Sequence, residues 1–360
     1  MSIQKELKKE GIEIITKLDP LISNDICKNV SRRIVETFPN FEITQEKLCK
    51  ELSQITMYRA KMIEGMAEAN YYYKDSSIYF NENIDYSDIE EFAIHECIHH
   101  IQKIQDDDGK LLKLGLCTYN NLKPIGLALN EAAVQYTSCI IIGVDADFEK
   151  YYGISLSTPS PSYYPLECSL LNQLIFFTGK DILFKSTLFS TDDFKNRIIE
   201  MTSEKTYKKL LVLLDCILKY EEKIVILNNK SFSLKDGDYK VDSINKKIEN
   251  LKEKISNNYL KAQNIIIKEF FEYELNKISN LEELEQLRHK LSDFAELIGT
   301  TEDYTFFDNY YVETMNRLEH KCNMLENGGQ ETALSKKRTN PILAFLQKLF
   351  KFKSSKEFDI

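Results

Sequence analysis

The spacing of apolar residues changes character several times along the chain. Up to about residue 52 it suits helices, and TQEKLCKEL (44–52) has the cap and stripe of an amphipathic one. From Ile55 the period shortens. ITMYRAKM (55–62), EANYYY (68–73) and SSIYF (76–80) are short runs rich in Ile, Tyr and Phe, which predict a small sheet with a hairpin turn at KDS (74–76). NENIDYSDIEEFAIHECIHHIQKI (81–104) then reads as a helix. Ser87 or Asp88 is its cap, and Glu90 and Glu91 oppose the positive end of its dipole. QDDDGK (105–110) and NNLKPIG (120–126) predict loops that lead into a second apolar helix, LALNEAAVQYTSCII (127–141).

The proline-rich STPSPSYYP (157–165) predicts an irregular loop, followed by a helix that Gly179 stops. Helices continue to about Tyr220. After a turn near SLKDGDYKV (233–241), the 4-3-4 spacing of Ile244, Ile248, Leu251 and Ile255 opens a long helical hairpin, closed by 281–299 and 309–325. The end of the chain, 331–360, carries seven Lys or Arg against three acids, and NPILAFLQKLFKFK (340–353) gathers its apolar side chains on one side of a helix. The expected organisation is an N-terminal helical segment (1–52), a core (53–225), a helical hairpin (226–330) and a basic amphipathic tail (331–360). The fold class is α+β: a small sheet packed on the histidine-bearing helix, then a mostly helical C-terminal half.

Composition narrows the function classes. A hydrophobic fraction of 43% over 360 residues is enough to bury a sizeable core, and a net charge of -9 excludes a general nucleic-acid binder. No apolar run approaches the roughly 18 residues of a membrane span, and charges interrupt the start of the chain too often for an export signal. Eight cysteines without a C-x-x-C pair read as reduced thiols of a cytoplasmic protein. The basic tail is expected either to dock on the protein's own helices or to contact an anionic membrane surface peripherally.

Three of the five histidines fall within EEFAIHECIHHIQ (90–102). On a helix His95 and His99 stand one turn and about 40° apart, so both imidazoles aim at one point and can share a metal ion. Glu96 sits about 100° from His95, beside that ion, where its carboxylate can hold a water. A zinc site needs a third protein ligand from another element, and LNEAAVQ offers Glu131, with Gln135 and Ser138 on the same face to orient the ligands. His100 falls on the side of Glu96 and is expected to support the ligands from behind or to fill the core, not to be a fourth ligand. His289 and His320 lie on charged helix faces, and QDDDGK lacks the spacing of a calcium loop.

These residues resemble the gluzincin branch of zinc metallopeptidases, over roughly residues 53 to 140. The resemblance implies a zincin-like catalytic core in which His95, His99 and Glu131 bind Zn2+, Glu96 is the general base, and SSIYFNE is the edge strand lining the substrate cleft. Gln at 102 and 105 excludes the metzincin extension, and Val134–Gln135 departs from the thermolysin-type N-E-x-x-S-D pattern. The expected activity is peptide-bond hydrolysis on a peptide or protein substrate, with Tyr163 and Tyr164 as candidate oxyanion donors. Two other readings stay open: a catalytically silent zincin-like protein, and a partner- or membrane-binding module built on the hairpin and tail.

Overall fold

The structure, a computed structural model, describes residues 3–9, 11–63, 68–120, 123–234, 239–299 and 306–326. It is mixed α+β with small sheets and a helical C-terminal half. The chain divides into two compact units, one ending at Ile266 and the other beginning at Ile267. Residues 340–353, expected as the tail helix, lie outside the described residues. Among those residues no helix is long and apolar enough to cross a membrane.

The first unit opens with α1 (Ile3–Lys9), β1 (Glu13–Lys17), α2 (Pro20–Thr37) and α3 (Gln45–Leu52). The expectation of helix throughout 1–52 therefore fails at β1. Every residue of that strand is exposed, so no buried stripe marks its period, and Gly11 at φ 79° reverses the chain before it. β2 (Thr56–Lys61), β3 (Ala69–Tyr72) and β4 (Ser77–Asn81) follow, and the sheet runs β1-β2-β4-β3. β3 and β4 form an antiparallel hairpin, whereas β2 pairs with β4 in parallel, Thr56 opposite Ser77. SSIYFNE is thus an interior strand and β3 is the edge. All five residues of β4 are buried, as a strand covered on both faces must be. Leu7 and Ile12 pack with Ala60, Tyr72 and Tyr79 on one face, and α4 (Ile89–Ile101) packs against β3 and β4.

Asp88 stands at the N-cap of α4, but its side chain makes no cap bond and instead accepts from the Ser87 hydroxyl. Glu90 does the anchoring. Its two oxygens take Arg33 Nε and Asn29 Nδ2 of α2, each at 3.0 Å, so α2 and α4 are clamped at one end.

Between α4 and the next helix the expected loops are a second antiparallel sheet, β5 (Lys103–Gln105), β6 (Leu111–Leu114), β7 (Cys117–Asn120) and β8 (Lys123–Ile125). Strands this short are too brief to display alternation. The turn at Gly115 then brings the chain back under α5 (Leu127–Ile142). Leu116 N–H donates to Asn130 Oδ1 at 2.9 Å, and Asn130 Nδ2 donates to Gln102 Oε1 at 3.3 Å. Gly115 N–H donates to Ser190 Oγ, which donates in turn to the Gln102 carbonyl at 2.6 Å. The start of α5 is closed from elsewhere: Gly126 N–H and Ala128 N–H both donate to the Asp215 carboxylate at 3.0 Å.

The hairpin of β9 (Asp147–Tyr151) and β10 (Ile154–Thr158), also unanticipated, leads through the proline-rich loop to α6 (Pro165–Thr178), which ends at Gly179. α7 (Lys180–Phe189) and α9 (Glu204–Phe232) pack on α5, and α8 (Asp193–Met201) packs on α6, α7 and α9. The first part of α10 (Tyr239–Lys277) docks on α6, where the Tyr259 hydroxyl meets Ser169 and Gln173. Ile244, Ile248 and Ile255 are buried along it. In the second unit the end of α10 packs with α11 (Leu281–Ile298) and α12 (Phe306–Glu326) around Phe271, Phe294 and Phe307, and Arg317 pairs with Glu272.

Gly115 has φ 54°, and a Cβ there would come within 2.2 Å of Asn130 Oδ1 and 2.4 Å of Gln102 Nε2. Gly115→Ala is expected to destabilise the fold by about 2 kcal/mol or more, from backbone strain plus disruption of buried amides. Gly109, at φ 73° with open space around it, is the control: Gly109→Ala carries only the strain, about 1 kcal/mol. Equal losses of thermal stability in the two variants would show that the buried network contributes nothing.

Candidate metal centre

α4 and α5 lie against each other so that His95 and His99, one turn apart on α4, face Glu131 in the first turns of α5. His99 Nε2 is 3.1 Å from His95 Nε2, and Glu131 Oε2 is 3.4 Å from His95 Nε2 and 3.3 Å from His99 Nε2. Three ligands at zinc-like bond lengths of ~2.0–2.1 Å on tetrahedral corners stand about 3.3 Å apart. The three atoms therefore already have the spacing of one face of a zinc coordination shell. Among the described residues this is the one group of three or more His, Cys, Asp or Glu side chains gathered so closely.

The surroundings prepare the ligands for a cation. His95 Nδ1 pairs with Gln135 Oε1 at 2.9 Å, which assigns the ring proton to Nδ1 and turns the Nε2 lone pair toward the shared point. Gln135 Nε2 in turn donates to Cys139 Sγ at 3.6 Å, which fixes the amide's orientation. Burial pushes the Glu131 carboxyl up. The charge on His99 and hydrogen bonds from both histidines overcome that and hold it below the usual carboxylate range. For His99, burial acts downward, but Glu131 lifts it to about 9.

Glu96 points elsewhere. It is only 7% exposed, it lines the cleft beside His95, and burial raises its pKa against the opposing pull of His95 and His99. A carboxyl held closer to neutrality than Glu131 is suited to taking up and returning a proton.

The cleft encloses about 60 Å³ and is lined by Glu68, Ala69, Glu91, Phe92, His95, Glu96, Gln135, Ser138, Ile142, Tyr163 and Tyr164. Tyr164 has the left-handed backbone (φ 53°, ψ 42°) at the start of α6, and its ring stacks on His95 at 6.2 Å and 20°. Burial pushes its phenol well above the usual range, with Glu131 and Glu96 adding to the effect. Tyr163 stands at the rim, edge-on to Phe92 with ring centroids 6.0 Å apart. Ser138 also lines the cleft, but its hydroxyl donates to the Val134 carbonyl and not to a ligand. His100 faces away, its Nδ1 paired with the Tyr71 hydroxyl at 3.0 Å, so it does not orient the ligands. His289 and His320 are exposed on α11 and α12. A larger groove of about 800 Å³ between α9 and α10 holds four lysines and a single acid, and no histidine.

Glu68, Glu91 and Phe92 were not expected at the site from the sequence. Glu91 and Phe92 share the helix with His95, and Glu91 precedes it by one turn, so helical spacing was a signal for it. Glu68 reaches the cleft only because β3 becomes the sheet's edge. No protein-family model matches the chain, and neither does any curated protein or solved structure.

One divalent ion is expected to bind per chain, and His95→Ala, His99→Ala and Glu131→Ala should each lower metal content well below one equivalent after dialysis, read by elemental analysis. Full stoichiometry in all three variants would place the ion elsewhere.

A second pair of acids titrates unusually. Glu167 on α6 is completely buried with neither oxygen in hydrogen-bonding range of a partner. Burial pushes it well above the usual range, the nearby Glu221 of α9 adds to this, and burial lifts Glu221 itself to about 7. The folded chain thus holds these protons more tightly than the unfolded chain, so stability declines as pH rises from 4.5 through about 7. Glu221→Gln should flatten that decline in thermal scans across the range, and an unaltered slope would rule out the pair as its source.

Proposed function

We propose that the chain is a zinc-dependent peptidase of the gluzincin type, built on a zincin-like core. One observation carries the reading: three ligand atoms with tetrahedral spacing, and a buried carboxyl, Glu96, next to them but not among them. Zinc held by the triad would polarise a carbonyl and acidify water in its open coordination position.

The chain's own groups complete the chemistry. Glu96 takes the proton of the attacking water and returns it to the leaving amine, a role that its raised pKa favours. Gln135 keeps His95 in the required tautomer. Tyr164, stacked on His95 at the floor of the cleft, is better placed than the rim residue Tyr163 to donate to a developing oxyanion. A peptide is the substrate favoured by the surroundings. Ala69 of the edge strand β3 borders the cleft, so an extended chain can pair with β3 while its carbonyl reaches the triad.

Glu96→Gln should keep metal content near that of the wild type while lowering kcat by about 10² to 10⁴, the usual effect of removing a general base. Metal analysis paired with turnover of a peptide library reads both. Loss of the metal from this variant, or undiminished turnover, would assign the base elsewhere.

A further inference from the structure

Glu90 and Glu91 are neighbours on α4 with opposite fates. Glu90 is held by Arg33 and Asn29. The Glu91 carboxylate has no ion-pair or hydrogen-bond partner among the described residues; Glu91 lines the cleft one turn before His95. Glu68 lines the cleft too, at the head of β3. Its backbone is fixed because its carbonyl accepts Asn81 N–H at 2.8 Å, while its carboxylate is likewise unpaired among the described residues. The Tyr163 ring stands close enough to both that, after burial, these two charges are what raise its phenol. Among the described residues no Lys or Arg lines the cleft.

Charge balance gives this arrangement a direction. Glu131 would face a dication at the triad directly, whereas Glu68 and Glu91 line the cleft with no cationic side chain beside them among the described residues. Tyr163 and Phe92 beside them offer aromatic surface to the methylene stem and to the cation itself. We infer, on the basis of the peptidase reading above, that the cleft selects peptides with a cationic group, an ammonium or a guanidinium, next to the bond that is cut, through Glu68 and Glu91.

The test uses the zinc-loaded full chain and quenched peptides that differ only in Lys, Arg, norleucine or Glu beside the scissile bond, each with a free or acetylated amino terminus. Binding of the same peptides to Glu96→Gln, followed by fluorescence anisotropy, gives a readout independent of turnover. Cationic peptides should exceed norleucine ones by about tenfold in kcat/KM and affinity, as for a pair of partly solvated charge contacts, and less so in high salt. In the double variant Glu68→Gln with Glu91→Gln that ratio should fall toward one. Loss of the preference on acetylation assigns the cation to the amino terminus, and its persistence assigns it to a side chain. A ratio near one in the wild type, or one that survives the double substitution, overturns the inference. Charge-selective binding that depends on the two glutamates, without cleavage of any peptide, would uphold the selection of a cationic group by Glu68 and Glu91 and overturn the peptidase reading on which its place beside a cut bond rests.

Discussion

The Asn130 side chain lies completely buried between the two ligand-bearing helices, bonded to Leu116 on one side and to Gln102 on the other. Gln102 caps α4 three residues after His99, and Asn130 immediately precedes Glu131. The amide contact therefore sets how far along α5 the carboxylate meets the imidazoles. A slip of one residue moves a helix position by about 1.5 Å along the axis and 100° around it, enough to remove a ligand from the shell. In a low-dielectric interior the bonds made by Asn130 and by the Gln102 oxygen resist displacement, although Gln102 Nε2 has no partner of its own. Ser190 extends it to the end of α7, so the same hydrogen bonds that seat α5 also seat the helix behind it.

Around that frame, one residue type acquires three behaviours. Glu131, against two histidines, is held ionised in spite of burial, while Glu96, the residue after His95 on α4, is pushed toward its neutral form. Glu91 stays at the rim without a partner. The difference lies in what each carboxylate touches and how much water it keeps.

The ligand faces of α4 and α5 were legible because helical periodicity is local: H-E-x-x-H fixes its own geometry, and Glu131 and Gln135 sit a turn apart on an apolar background. The contact of Gln135 with His95 follows from the same spacing. What was hidden depends on pairing between distant segments. The parallel match of β2 with β4 puts SSIYFNE in the interior and leaves β3 as the edge, and nothing in either run announces its partner. The strands of the second sheet and the fully exposed β1 lack the buried alternation that periodicity reads. Glu68 shares that opacity, since its place at the cleft follows from the sheet order.

Asp215, which closes the first turn of α5, comes from α9, and Gly126 lies 89 residues before it in the chain. The helix that carries Glu131 cannot be finished by its own sequence, since Gly126 provides no side chain to bind the free N–H groups there. During vectorial synthesis the histidines, Glu96 and Glu131 all emerge well before that cap exists. The triad thus remains an unfinished assembly until α9 has been made and laid across α5, so its three side chains are brought together by the late arrival of a helix that holds none of them.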